Sequence, residues 1–367
     1  MRAAQTLTLD STVTVEVPDP VCGPGEVVCR VLACATCGSD VHGWYVARKL
    51  PAVLGHEPVG EVVEIGAGVG TVAPGDVVAI HHHAACGSCR ICDAGHETLC
   101  PEFRATRLDP GGFVEYVRIQ AELVPELLAL DGLDPVIATC TEPLACALRA
   151  QSRVGLTPRD TLLVVGAGTS GLLHIAAARA AGVERVFVAE PRADRRERAI
   201  AWGAEPLPTA ACDERAVAAG NGGEPPDRAP QGAVAAGNRG ERPDPAPRDV
   251  VAGPAARADV AIVTSHHPDA IAGAAAALGP GGRLCVYAPP EPGAALAVDG
   301  GELFLRELTV TASWSAGAAD MRAALALLRS GAVRAGELIT HRFPLEQTGA
   351  ALAAQRDGSA LKAVVLP

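Results

Sequence analysis

Val164-Val165-Gly166-Ala167-Gly168-Thr169-Ser170-Gly171-Leu172-Leu173 is the stretch on which the reading of this chain turns. Leu162 to Val165 is a short buried strand. The small-residue run Ser170 to Ala181 reads as a helix closed by Gly182. Between them Gly166, Gly168 and Gly171 form a G-x-G-x-x-G, a weak signal when it stands alone. Here a strand precedes it, a helix follows it, and the acidic Glu190 ends the next strand 19 positions after Gly171. In that setting glycines let the backbone turn tightly and approach a pyrophosphate at a helix N-terminus. Gly166, Gly168, Ser170 and Gly171 are therefore expected to hold the phosphates of a nicotinamide dinucleotide. Glu190 should bond the adenosine ribose diol and favour NAD, while Arg192, Arg195 and Arg196 leave NADP open.

Downstream the alternation continues. Val186 to Ala189 reads as a strand and Arg192 to Trp202 as a helix. Val260 to Val263 is a strand and Pro268 to Leu278 a helix. A Gly-Pro-Gly-Gly turn then leads into a strand at Leu284 to Tyr287. Strands alternating with helices imply a parallel sheet covered on both faces. Val263-Thr264-Ser265 and Ala288, at later strand ends, should line the nicotinamide end of the site. Residues 216–230 (AVAAGNGGEPPDRAP) recur at 233–247 with 12 of 15 positions identical. Two copies rich in Pro and Gly cannot bury a core, so a tandem duplication in a disordered surface insert is expected over about 211–250.

Upstream the texture differs. Residues 12–17, 27–32, 59–65 and 76–80 read as short strands separated by Gly/Pro turns, which points to a small β-barrel. Twelve cysteines would suggest disulfides in a small secreted protein, but in 367 residues they more often hold metal. Cys86, Cys89, Cys92 and Cys100 follow C-x2-C-x2-C-x7-C, the spacing of a closed tetrahedral zinc site that stabilises a loop, with an iron–sulfur cluster as the competing reading. Cys34 and Cys37 form a C-x-x-C without the surroundings of a redox motif. His81-His82-His83, His266 and His267 are read as solvated or second-shell and given no role. A net charge of −11 argues against nucleic acid or an anionic membrane as partner. With no apolar run of spanning length and no signal-peptide core, the cytoplasm is the expected location.

In chain order, Pro24-Gly25-Glu26-Val27, Cys37-Gly38-Ser39-Asp40-Val41-His42, Gly55-His56-Glu57, the four-cysteine loop, Glu142-Pro143-Leu144 and the glycine turn resemble the zinc-containing medium-chain dehydrogenases, most closely their polyol and threonine dehydrogenase branch. The resemblance implies a GroES-like β-barrel catalytic domain (1–148, completed by 315–367) joined to a Rossmann doubly wound parallel sheet (149–314). It implies two zinc ions per chain, one structural and one catalytic, the latter held by Cys37, His56 and Glu57. Glu142 would be an additional, water-bridged or exchangeable ligand, with Cys140 as its rival, and Asp40 would orient His56. It also makes Ser39 and His42 a proton relay from the substrate hydroxyl, and places Arg195 at the adenosine end. The implied activity is the NAD(P)-linked interconversion of a secondary alcohol and ketone on a polyol, cyclitol, amino sugar or amino alcohol, by a homodimer or homotetramer. The branch's substrate-binding arginine is missing at Ser313-Trp314-Ser315, which leaves sorbitol doubtful. Trp44, Phe103 and Trp314 are candidate pocket walls. A zinc-free quinone reductase would lack both zinc motifs, and a silent dinucleotide-binding protein would carry a damaged catalytic set.

Overall fold

The computed structural model describes residues 1–207 and 257–367, so the duplicated insert lies outside the described residues. In chain order the strands are β1 (Arg2–Thr8), β2 (Ser11–Glu16), β3 (Val27–Ala35), β4 (Ala52–Val53), β5 (Glu57–Ile65), β6 (Val77–Ala79), β7 (Tyr116–Ile119) and β8 (Leu128–Ala129). They continue with β9 (Thr161–Val165), β10 (Arg185–Ala189), β11 (Glu205–Pro206), β12 (Ala258–Val263), β13 (Leu278–Val286), β14 (Thr309–Ala312), β15 (Ile339–Pro344) and β16 (Lys362–Leu366).

Strands β9 to β14 form one sheet in the order β11-β10-β9-β12-β13-β14, every pair parallel. This is a doubly wound sheet whose connections reverse direction between β9 and β12, the crevice where open α/β sheets bind ligands. Strand β9 is buried along its whole length, which explains its unbroken Thr-Leu-Leu-Val-Val run. The helices Thr141–Arg153, Thr169–Ala180 and Ala318–Arg329 pack on one face through Ala145, Ala147, Leu172, Ile175, Ala176, Met321 and Ala324. Their small side chains let the helices approach closely where aromatics are scarce. One boundary differs from the sequence reading. Strand β13 starts at Leu278, which pairs with Ala258, so the Gly-Pro-Gly-Gly turn is absorbed into the strand. Gly281 takes φ +70° there, and a Cβ on Gly282 would lie 2.7 Å from that of Leu278.

The other half is β-rich. Strands β2-β1-β4 form a small sheet, and β15-β16-β3-β5-β6-β8 form a larger one that β7 joins through β3. The C-terminus returns to close this half, with β16 antiparallel to β3 (Val364↔Ala35, Val365↔Cys34). Its interior is filled by Val27, Val31, Val62, Val78, Ile80, Phe113, Val117, Ile119 and Val365. Among the described residues no helix is long and apolar enough to cross a membrane.

One set of contacts between the halves lies at the glycine turn. Thr169 Oγ1 donates to the carbonyl of Leu361, and Arg192 and Arg195 both donate to the carbonyl of Gly358, each at 3.1 Å. The C-terminal segment that completes the β-rich half therefore also rests against the start of the helix Thr169–Ala180.

Candidate metal and dinucleotide site

Cys37 follows β3 and precedes a short 3-10 turn, Gly38–Asp40, while His56 and Glu57 stand at the start of β5. Because β3 and β5 are antiparallel with Ala35 opposite Glu57, residues nineteen apart in sequence meet at one sheet end. One ligand atom from each of Cys37, His56 and Glu57 lies within 4.8 Å of the others. Zinc bonds of about 2.0–2.3 Å require donors about 3.5 Å apart, so a small closure completes three corners of a tetrahedron. Asp40 Oδ1 sits 3.2 Å from His56 Nδ1 and fixes the ring so that Nε2 faces the triad, while the Ser39 hydroxyl lies 3.3 Å from that Nε2.

The electrostatics call for a cation. Burial works against a charge on His56, yet Asp40 and Cys37 hold its pKa well above the usual value. Burial, with Glu142 adding to it, lifts Glu57 to about 7 despite the pull of Lys362 and His56. Protons thus accumulate where a metal would otherwise balance the charge, and Glu57 Oε1 is buried without a hydrogen-bond partner. This donor set fits zinc.

Lys362, at the start of β16, forms an ion pair with Glu57, and both side chains are almost completely buried. Sequence reasoning missed this residue. The signal was a lone charge in the apolar run Leu361-Lys362-Ala363-Val364-Val365. Removing one partner of a buried pair leaves the other uncompensated, at a cost of about 3–5 kcal/mol. Lys362→Met should therefore lose about that much stability in urea unfolding, and adding Glu57→Gln should recover most of it. Additive losses in the double variant would refute the coupling.

Glu142 and Cys140 stand outside this donor triad. Glu142, in the first turn of the helix Thr141–Arg153, accepts a hydrogen bond from the Cys146 thiol at 3.3 Å. Burial pushes the Cys140 thiol up to about 11, keeping it protonated. Ser39 and His42 are not hydrogen-bonded to each other. Ser39 turns to His56, while His42 packs against Trp44 with its Nε2 buried and unpartnered. The histidine run is less solvated than its polarity suggests. His81 is buried, the His82 ring is 5.0 Å from that of His56, and His83 Nδ1 is 2.8 Å from the Thr106 carbonyl oxygen. From His83 the rings continue to Phe103 at 4.7 Å and on to Trp314 at 5.9 Å.

In the second cluster the sulfurs of Cys86, Cys89, Cys92 and Cys100 are 3.5, 3.6, 3.8 and 4.0 Å apart in the pairs that touch. Four thiolates at about 2.3 Å from one zinc give edges close to 3.8 Å. A multi-iron cluster has to stand between its thiolates and would spread them further, so the spacing fits a single ion.

Across the crevice the glycine turn is built as its sequence requires. Gly166 has φ +98°, and a Cβ there would lie 2.6 Å from Thr264 Oγ1. A Cβ on Gly171 would come within 1.9 Å of the Gly166 carbonyl oxygen. Gly168 caps the helix Thr169–Ala180, and the nearest group to a Cβ there would be Arg195 Nη1 at 3.8 Å. The Glu190 carboxylate is buried and accepts the backbone N–H of Ala167 at 2.7 Å and of Arg192 at 2.9 Å. The Tyr287 ring meets that of His174, on the helix Thr169–Ala180, edge-to-face with centroids 4.7 Å apart, and burial, then the nearby Cys146, Glu142 and Cys37, raise its phenol well above the usual pKa. Tyr287 thus stands between the helix that follows the glycine turn and the side of the metal triad that carries Cys37. Val263, expected at the nicotinamide end, turns its side chain into the core. It is fully buried, and its carbonyl already accepts the N–H groups of Tyr287 and Ala288 at 3.1 Å. The Thr264 hydroxyl donates to the Val165 carbonyl at 2.9 Å, and the Ser265 hydroxyl accepts the His267 N–H at 3.2 Å.

The alcohol dehydrogenase GroES-like domain family matches residues 23–128. An L-threonine 3-dehydrogenase of Pyrococcus horikoshii is 39% identical over 203 residues, which is 53% of this chain and 56% of that protein, so the chain spans about half the length of such relatives. An L-threonine 3-dehydrogenase of Bacillus licheniformis is 30% identical over 359 residues, covering 96% of this chain and 94% of its own length. The solved structure of the 2R,3R-butanediol dehydrogenase from Bacillus subtilis superposes with a TM-score of 0.77 at 25% identity, over 100% of this chain and 99% of that one. With a near full-length relative and a matching GroES-like half, the chain belongs to the zinc-containing medium-chain dehydrogenases, in their polyol and threonine dehydrogenase branch.

Proposed function

We propose that this protein is a zinc-dependent dehydrogenase that interconverts a secondary alcohol and its ketone on a small polar substrate, with NAD as the preferred nucleotide. The observation that carries the reading is the convergence of Cys37, His56 and Glu57 on one point. Bound there, zinc would lower the pKa of an alcohol and the nicotinamide ring would accept its hydride. Cys37, His56 and Glu57 are the residues to hold the metal. Glu142 stands behind them, able to approach through water. Ser39, beside His56 Nε2, is placed to take the substrate hydroxyl proton. Because it does not touch His42, the relay needs a hydroxyl or water between them. Gly166, Gly168, Ser170 and Gly171 would receive the pyrophosphate, Glu190 the ribose diol and Arg195 the adenosine end. The division into 1–148 with 315–367, and 149–314, follows the same reading, as does one structural zinc on Cys86, Cys89, Cys92 and Cys100.

The test is a screen of L-threonine, 2,3-butanediol, sorbitol and myo-inositol against NAD and NADP, read at the absorbance of the reduced nucleotide. Turnover of at least one with NAD supports the reading. Nucleotide binding without turnover of any alcohol or the matching ketones contradicts it.

A homo-oligomer suits the surface. Strand β14 is a sheet edge on which Val310 is exposed, and Phe304 and Leu305 just before it are exposed by 81% and 78%. A second copy pairing across a two-fold would cover both the edge and the apolar patch. Phe304→Glu should shift the sedimentation coefficient toward a smaller species, and an unchanged value would contradict the contact. Every described cysteine is free, which suits a reducing cytoplasm.

A further inference from the structure

His42 lies on the β-rich half, just after the 3-10 turn that carries Ser39, and its Nε2 is buried without a hydrogen-bond partner. Trp44 closes one side of the ring, with centroids 5.6 Å apart in an edge-to-face arrangement. The ring also meets His266, on the parallel-sheet half just after β12, its ring centroid 5.0 Å away and tilted by 69°. His266 itself is exposed. The path from the His42 ring to solvent therefore runs past a second imidazole contributed by the other half of the molecule.

We propose that His266 is the outer station of the proton relay: it receives the proton that His42 releases and hands it to solvent. This rests on the dehydrogenase reading above. As His42 takes up the proton arriving from the substrate hydroxyl on one ring nitrogen, it releases one from the other. His266 accepts that proton, directly or through one water, and loses a proton to bulk solvent. No electron moves in these steps, because the hydride has gone separately to the nicotinamide. Imidazole suits the task because it gains and loses protons near neutral pH. The titratable and charged groups facing His266 are His42, His267 and Glu291. Partial burial, then the two neighbouring imidazoles, hold its pKa below the usual value against the pull of Glu291, so at neutral pH it is free to accept. Since the two rings belong to different halves, the relay is complete only when the halves are together.

The experiment uses the zinc-loaded full chain and the alcohol from the screen with the highest turnover. His266→Ala should lower kcat for oxidation roughly ten-fold below pH 8 and converge on the wild type at high pH, where hydroxide can take the proton. Tens of millimolar imidazole should restore the rate. A merely structural residue would slow turnover at every pH and ignore imidazole, and that result, or an unchanged pH profile, would overturn the proposal. A readout without turnover is the imidazole NMR titration of His266. Removing His42 should raise its midpoint, because one of the neighbouring imidazoles that hold it down is lost, and no shift would overturn the contact. If the wild type oxidises nothing in the screen, the dehydrogenase reading fails. If it is active and His266→Ala is indistinguishable from it, only the relay fails.

Discussion

Cys37→Ser is expected to reduce alcohol-dependent nucleotide reduction by about a thousand-fold or more, with little change in the melting temperature. The expected size follows from the ligand chemistry. A serine hydroxyl stays protonated at neutral pH and is a poor zinc donor, whereas a thiolate binds at about 2.3 Å and neutralises part of the ion's charge. A catalytic metal supplies several kcal/mol of transition-state stabilisation, and each 1.36 kcal/mol is a factor of ten. The fold should tolerate the change. Cys37 is half-buried and nearly isosteric with serine, its backbone N–H still bonds Asp40, and the Glu57–Lys362 pair is left in place. The decisive companion measurement is metal content: the variant should retain only the zinc of the four-cysteine loop. A variant with wild-type turnover would contradict the assignment of Cys37.

Cys100→Ala is expected to act in the opposite manner, on stability first. Cys100 is 1% exposed and closes the tetrahedron from the far end of its loop. That loop is bolted to the rest of the molecule by two arginines of the helix Thr141–Arg153. Arg149 is buried and pairs with Glu97 and with Asp320, and Arg153 reaches His96 Nδ1 at 3.1 Å and the Ala312 carbonyl at 3.2 Å. Structural zinc binding in small peptides contributes on the order of 10–16 kcal/mol to folding. Here two large cores remain, so a loss of several kcal/mol is expected, seen as a melting transition lowered by roughly 10 °C or more in calorimetry. The same helix carries Glu142, so turnover should fall as the loop loosens, but less than in Cys37→Ser. An unchanged melting transition would mean that the loop holds itself together without metal.

These effects were legible to different degrees in the chain itself. The glycine turn, its flanking strands and the four-cysteine loop could be read because each is local: a few residues at fixed spacing determine a turn or a tetrahedron. The strand β9, with every residue buried, and the helix Thr169–Ala180 fall within a residue or two of their expected limits. What local spacing does not carry is pairing across the fold. Lys362 meets Glu57 only because the C-terminus returns to add β16 beside β3. His266 meets His42 only because the end of β12 faces the β-rich half. Both were passed over for the same physical reason, that an isolated cation or imidazole has no partner visible in its own neighbourhood. His81-His82-His83 left two readings open, solvated or packed behind a metal ligand, and the end of β6 turns them inward beside His56 and Phe103. At the end of β12 the pleat points the Val263 side chain into the core with Ile271 and Leu284.

The most direct test of the whole account is a crystal of the zinc-loaded protein measured on both sides of the zinc absorption edge. Two anomalous peaks per chain are expected, one inside the four-cysteine loop and one within bonding distance of Cys37 Sγ and His56 Nε2. A peak at the loop alone, with Cys37 and His56 bare in a crystal grown with excess zinc, would contradict it.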